Sequence, residues 1–156
     1  MDIERQLKVQ DLNARYVETI DEGRFEEWPD LFTDDGHYRV TTAENAEQGL
    51  PLSLIHATSR AMLRDRVRAL REANIYEAQR YRHILGPARI EPAMDGSLRA
   101  RTSFMVARIM HTGETALFAT GLYLDRIALE GEASRFVEKT VILDSRQIDT
   151  LLAIPL

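Results

Sequence analysis

Residues 104–125 read FMVARIMHTGETALFATGLYLD, and this stretch decides the fold. Two runs rich in apolar residues flank the turn sequence HTGE. Before the turn, Phe104, Val106 and Arg108 alternate; after it, Leu117, Ala119, Gly121, Tyr123 and Asp125 share one face by the period of two. The link is too short to hold a crossover helix, so the two strands, 98–111 and 116–129, form an antiparallel hairpin. The face ends in polar groups, and Arg108 on the neighbouring strand is the expected partner of Asp125. Such a pair serves structure as readily as catalysis.

The pattern continues outward. Strands are expected at 81–90 and 134–145, set off by the turn sequences MDGS and EGEA. Upstream, Val9, Leu12, Tyr16, Val17 and Ile20 recur at helical spacing over 3–22, with Gly23 as the stop. FEEWPDLF (25–32) reads as a short second helix, TDDG (33–36) as a tight turn and HYRV (37–40) as a strand. Residues 41–57 have weak periodicity and read as a loop or insert. Over 59–73 the helical pattern returns, with Leu63, Val67 and Leu70 on one face and Arg60, Arg64, Arg68 and Arg71 on the next. Helices first and long strands after make an α+β chain, one domain over 1–156.

Composition removes several functions. The 156 residues include no cysteine, which excludes disulfides, a thiol nucleophile and the thiolates of an iron–sulfur cluster or zinc ribbon in this chain. A net charge of -5 argues against nucleic acid as the main partner. No run of apolar residues spans a membrane and the charged start is unlike a signal peptide, so no membrane partner and a cytoplasmic location are expected. The histidines, His37, His56, His83 and His111, show no metal-ligand spacing. Tyr16 and either Asp34 or Asp35 could serve as donor and general base beside a carbonyl, although TDDG suits a turn regardless of chemistry. The arginine stripe on 60–71 reads as a solvated face or as a contact for acidic groups.

Four stretches in this order, WPDLFTDDGHYRV, ALREANIYEAQRYRHILG, FMVARIMHTGETALFATGLYLD and VILDSRQIDTLLAIPL, resemble the small, or β, subunit of aromatic-ring-hydroxylating (Rieske non-haem iron) dioxygenases. Within that family the chain is most similar to small subunits of the terephthalate type, followed by the salicylate 5-hydroxylase and anthranilate types. The resemblance implies the cone-shaped NTF2-like (SnoaL-like) fold, with N-terminal helices packed on a long twisted antiparallel sheet. It implies a noncatalytic subunit that trimerises within an α3β3 oxidoreductase acting on an aromatic carboxylate. This chain would hold no cofactor. The Rieske [2Fe–2S] cluster and mononuclear Fe(II) would sit in the catalytic α subunit and draw electrons from NADH through a reductase. Tyr81, Arg82 and His83, with Arg108, Tyr123, Asp125 and the tail Ile154, Pro155 and Leu156, are then expected at subunit interfaces. Two rival readings of the same fold are a stand-alone ketosteroid-isomerase-like or polyketide-cyclase-like enzyme using Asp35 and Tyr16, and a small-ligand binding module.

Overall fold

The computed structural model describes residues 2–73, 78–145 and 154–156. Parts of two of the stretches that carry the resemblance, 74–77 and 146–153, lie outside the described residues. Helix α1 (Ile3–Asp21) starts at Asp2, whose carboxylate accepts from the Arg5 amide at 3.2 Å, and its apolar stripe from Val9 to Ile20 is buried. Gly23 ends it at φ 71°, a conformation that glycine adopts without steric cost. Phe25–Leu31 is a 3₁₀ helix, and it passes directly into β1 (Phe32–Thr42). Short helix α2 (Ala43–Glu47), strand β2 (Ile55–Ala57) and helix α3 (Arg60–Ala73) follow. The remainder is strand: β3 (Gln79–Leu85), β4 (Arg89–Pro92), β5 (Leu98–Met110), β6 (Thr115–Glu130) and β7 (Ala133–Leu143).

One sheet runs in the order β2-β1-β7-β6-β5-β3, with β4 beside β3's extension on β5. The hairpin expected at 98–129 is present, and every pairing is antiparallel but one. Strand β1 lies parallel to β7, so the sheet is mixed. No hairpin joins these two strands, so nothing local imposes an antiparallel sense.

Four local expectations are corrected. TDDG is no turn between elements but an irregularity inside β1: Phe32 faces Phe136, yet His37 already faces Glu138. Turn chemistry still operates there, because a Cβ on Gly36 would come within 2.8 Å of the Phe32 Cβ. The expected loop at 41–57 contains α2 and β2, both too short to show a period. The single strand expected at 81–90 is broken into β3 and β4 around Gly86 and Pro87, where proline cannot donate to a ladder. Finally, the ladder between β5 and β6 slips between Val106 and Ala107, leaving Phe118 as the extra residue. The alternation therefore inverts: Leu117 is exposed while Phe118 stacks on Tyr81 at 5.3 Å between ring centroids.

The inner sheet face curls over α1, the 3₁₀ helix and α3, and its core is aromatic. Trp28 meets Tyr38 edge-on at 5.1 Å, Phe32 meets Phe136 at 5.4 Å, and Phe104 stacks on Tyr123 at 4.3 Å. At position 121 on β6 only glycine fits, since a Cβ on Gly121 would strike the Ile142 carbonyl of β7.

Candidate functional site

Among the described residues, the inner sheet face and the helices packed on it bring together a cluster of buried side chains. At its centre Lys139 is fully buried. Its ammonium donates to both carboxylate oxygens of Asp125 at 3.1 and 3.2 Å and lies 3.7 Å from the Tyr123 ring centroid, with Tyr16 and Phe136 each at 4.4 Å. Asp125 and Lys139 are directly opposite in the β6–β7 register. Burial pushes the Asp125 carboxyl up and the Lys139 ammonium down, and each is opposed by the other's charge. Three ring faces around a desolvated ammonium supply part of what hydration would give, with cation–π contacts of this kind contributing roughly 2 kcal/mol.

The partner expected for Asp125 was Arg108; the structure gives it Lys139 instead. Arg108 sits on the same inward parity but nearer the sheet end, with its guanidinium 4.7 Å from the Phe118 ring centroid. Lys139 was missed, although its signal was present: in FVEKTVIL it shares parity with Val141 and Leu143, an inward position for a charged group.

Beside this pair lies the chain's own tail. The Tyr16 hydroxyl donates to the Leu156 main-chain oxygen at 2.5 Å, the Tyr38 hydroxyl reaches the same oxygen at 3.2 Å, and the Leu156 amide donates to the Tyr38 oxygen at 3.1 Å. Burial raises the Tyr38 hydroxyl to about 12 and lifts Tyr16 well above its ordinary value, so both remain neutral donors. Ile154 and Leu156 are buried in this same chain. The tail, expected as a contact for a neighbouring chain, is a plug in its own core. Tyr16 is thus sealed and its proton committed, whereas Asp35 is exposed in the β1 irregularity. The two do not line one pocket.

His83 has a structural partner. Its amide donates to Asp21 Oδ2 at 2.9 Å and its Nδ1 donates to Asp21 Oδ1 at 2.6 Å, with both side chains shielded from water. The carboxylate at the end of α1 thereby fastens β3, the sheet's edge strand. Neighbouring Tyr81 is buried, and Arg82 points outward. Folding also brings His37 and His56 to 6.1 Å between ring centroids, a pair that no sequence spacing announced. Among the described residues, no three His, Cys, Asp or Glu side chains converge as a metal site would require.

The arginine stripe is largely internal fastening. Arg60 donates to the Phe32 carbonyl and to Asp34 at 2.6 Å, Arg64 lies 3.4 Å from Asp30, and Arg71 pairs with Glu26 at 2.7 Å while stacking on Phe25. These contacts lock α3 to the 3₁₀ helix and β1. The outer sheet face, by contrast, carries an open groove of about 880 Å³ whose walls include Arg89, Arg99, Arg101, Leu124, Arg126 and Glu138. At its rim the Ser97 hydroxyl and amide, with Arg126, hold the Asp95 carboxyl down to about 2.

Comparison with known proteins gives the chain its family. The family model described as "Ring hydroxylating beta subunit" matches residues 15–150. The chain is 47% identical to the terephthalate 1,2-dioxygenase terminal oxygenase component subunit beta 1 of a Comamonas species, over 97% of this chain and 98% of that one. It is 38% identical to the anthranilate 1,2-dioxygenase small subunit of Burkholderia cepacia, covering 93% of this chain and 90% of the other. Among solved structures, the beta subunit of a proposed aromatic-ring-hydroxylating dioxygenase from Novosphingobium aromaticivorans superposes with a TM-score of 0.88 at 38% identity, covering 97% of each chain.

Proposed function

The chain belongs to the ring hydroxylating beta subunit family, and on that premise we propose that it supports an oxygenase that adds O2 to an aromatic carboxylate of the terephthalate or salicylate kind. It is a subunit of an aromatic-ring dioxygenase, and not the catalytic one. The observation that carries the substrate class is its end-to-end similarity to the terephthalate 1,2-dioxygenase beta subunit. The Rieske cluster and mononuclear iron belong to a large α subunit, fed from NADH through a reductase, and the assembly is α3β3 around a trimer of this chain in the cytoplasm. The residues here do not suit either metal group: there is no cysteine, and among the described residues no ligand set converges.

Co-expression with a large subunit carrying the C-x-H and C-x2-H cluster motifs tests this reading. One complex is expected, with cluster absorbance and iron following the large chain, while this chain alone is colourless. Tightly bound iron in the isolated chain at about one per protomer would overturn the division of labour.

The rival enzyme reading is separated by Asp35. As an exposed residue of the β1 irregularity it carries no proton chemistry, so Asp35→Asn leaves turnover of the assembled oxygenase within about twofold, whereas loss of a general base costs on the order of a hundredfold. Steady-state turnover on the aromatic acid, with assembly checked by gel filtration, decides between them.

A further inference from the structure

Outside this core, one surface stands apart in a chain of net charge -5. Arg80 and Arg82 on β3, Arg89 on β4, and Arg99 and Arg101 on β5 are all exposed on the outer face at one edge of the sheet. Arg89 and Arg101 are directly opposite one another across the β4–β5 ladder. Like charges in that position are unfavourable unless a counter-charge comes from elsewhere. None of the five arginines is ion-paired among the described residues, and Glu91, opposite Arg99, is the one carboxylate directly across from them in the ladders. Between the arginines lie apolar side chains. Ile84 is 56% exposed, Met105 directly opposite it 42%, and Leu124, opposite Arg101, 40%. Arginine and methionine around an apolar centre are the side chains that protein interfaces favour.

We infer that this face, centred on Arg89 and Arg101, docks an acidic surface of the catalytic large subunit. The inference rests on the assignment of this chain as a supporting subunit. A second copy of this chain is the poorer occupant in a symmetric contact, where the same face supplies both sides. Two copies meeting face to face would oppose arginine to arginine. A guanidinium fork recognises carboxylates in bidentate fashion, and the groove beside Leu124 has room for side chains projecting from a partner.

The test uses the co-expressed complex with a tagged large subunit. The doubly reversed variant R89E/R101E is compared with wild type and with R15E/R68E, an equal charge change at arginines that pair only within their own helices. The expected result is a drop in retention of this chain by the large subunit of about tenfold or more for R89E/R101E, steeper at low salt, and little change for R15E/R68E. The self-association and circular dichroism of the isolated variant stay as in wild type. If reversal also prevents folding, the milder R89Q/R101Q pair decides by the same readout. Unchanged retention overturns the inference, and so does loss of self-association with retention intact, which would make this face a contact between copies. A wild-type chain that never associates with the large subunit overturns instead the supporting-subunit assignment on which the inference rests.

Discussion

Asp125→Ala destabilises the isolated chain by about 3–5 kcal/mol, because it leaves the Lys139 ammonium fully buried with no counter-charge. In a chain of this size that corresponds to a fall of roughly 6 to 20 °C in the melting temperature. Replacing both partners, as D125L/K139M, recovers most of the loss, since well-packed apolar residues replace a buried ion pair at little cost. The single variants also respond to pH in opposite senses. In Asp125→Ala the remaining group is a lysine whose folded-state pKa lies below its unfolded value, so the native state binds fewer protons and stability rises as pH climbs toward the unfolded value near 10.5. In Lys139→Met the remaining carboxyl is raised, the native state binds more protons, and stability falls as pH rises from the unfolded value near 3.8. Chemical denaturation at several pH values measures both slopes. Slopes of the same sign, or an Asp125→Ala variant as stable as wild type, would show that the pair is not buried as a coupled unit.

This pair also shows where the sequence was legible. Alternation over 98–129 and 134–145 located the three long strands to within about two residues at each end, since half-buried strands must alternate. The apolar stripe of α1 was equally plain. What escaped were features set by tertiary register. Nothing local says that β1 lies parallel to β7, or that the slip after Val106 turns Phe118 inward and Leu117 outward. The partner of Asp125 depended on that register too: with β6 flanked by β5 and β7, both Arg108 and Lys139 had inward parity, and only the alignment of the ladder puts Lys139 opposite. The fastening roles of Asp21 and of the α3 arginines were invisible because they span 62 residues in one case and 26 to 45 in the others.

The tail gives the second large effect, and here two physical pictures diverge. If residues 154–156 reached a neighbouring copy, deleting them would weaken assembly and leave the protomer's own stability alone. In the structure Ile154 and Leu156 are buried in the core of the same chain, and burying two such side chains contributes roughly 3–6 kcal/mol relative to exposure. The deletion also strips the Tyr16 hydroxyl of its acceptor and Tyr38 of both its Leu156 bonds, although water entering the vacated space replaces some of them. Removal of 154–156 therefore lowers the denaturation midpoint of the isolated chain substantially, and the loss does not depend on protein concentration. Leu156→Ala, which keeps the main-chain hydrogen bonds, gives a smaller loss of roughly 2 kcal/mol or more. Equilibrium unfolding at two protein concentrations separates the pictures: an unchanged midpoint in dilute solution, or a loss that appears only where copies associate, would return the tail to the interface.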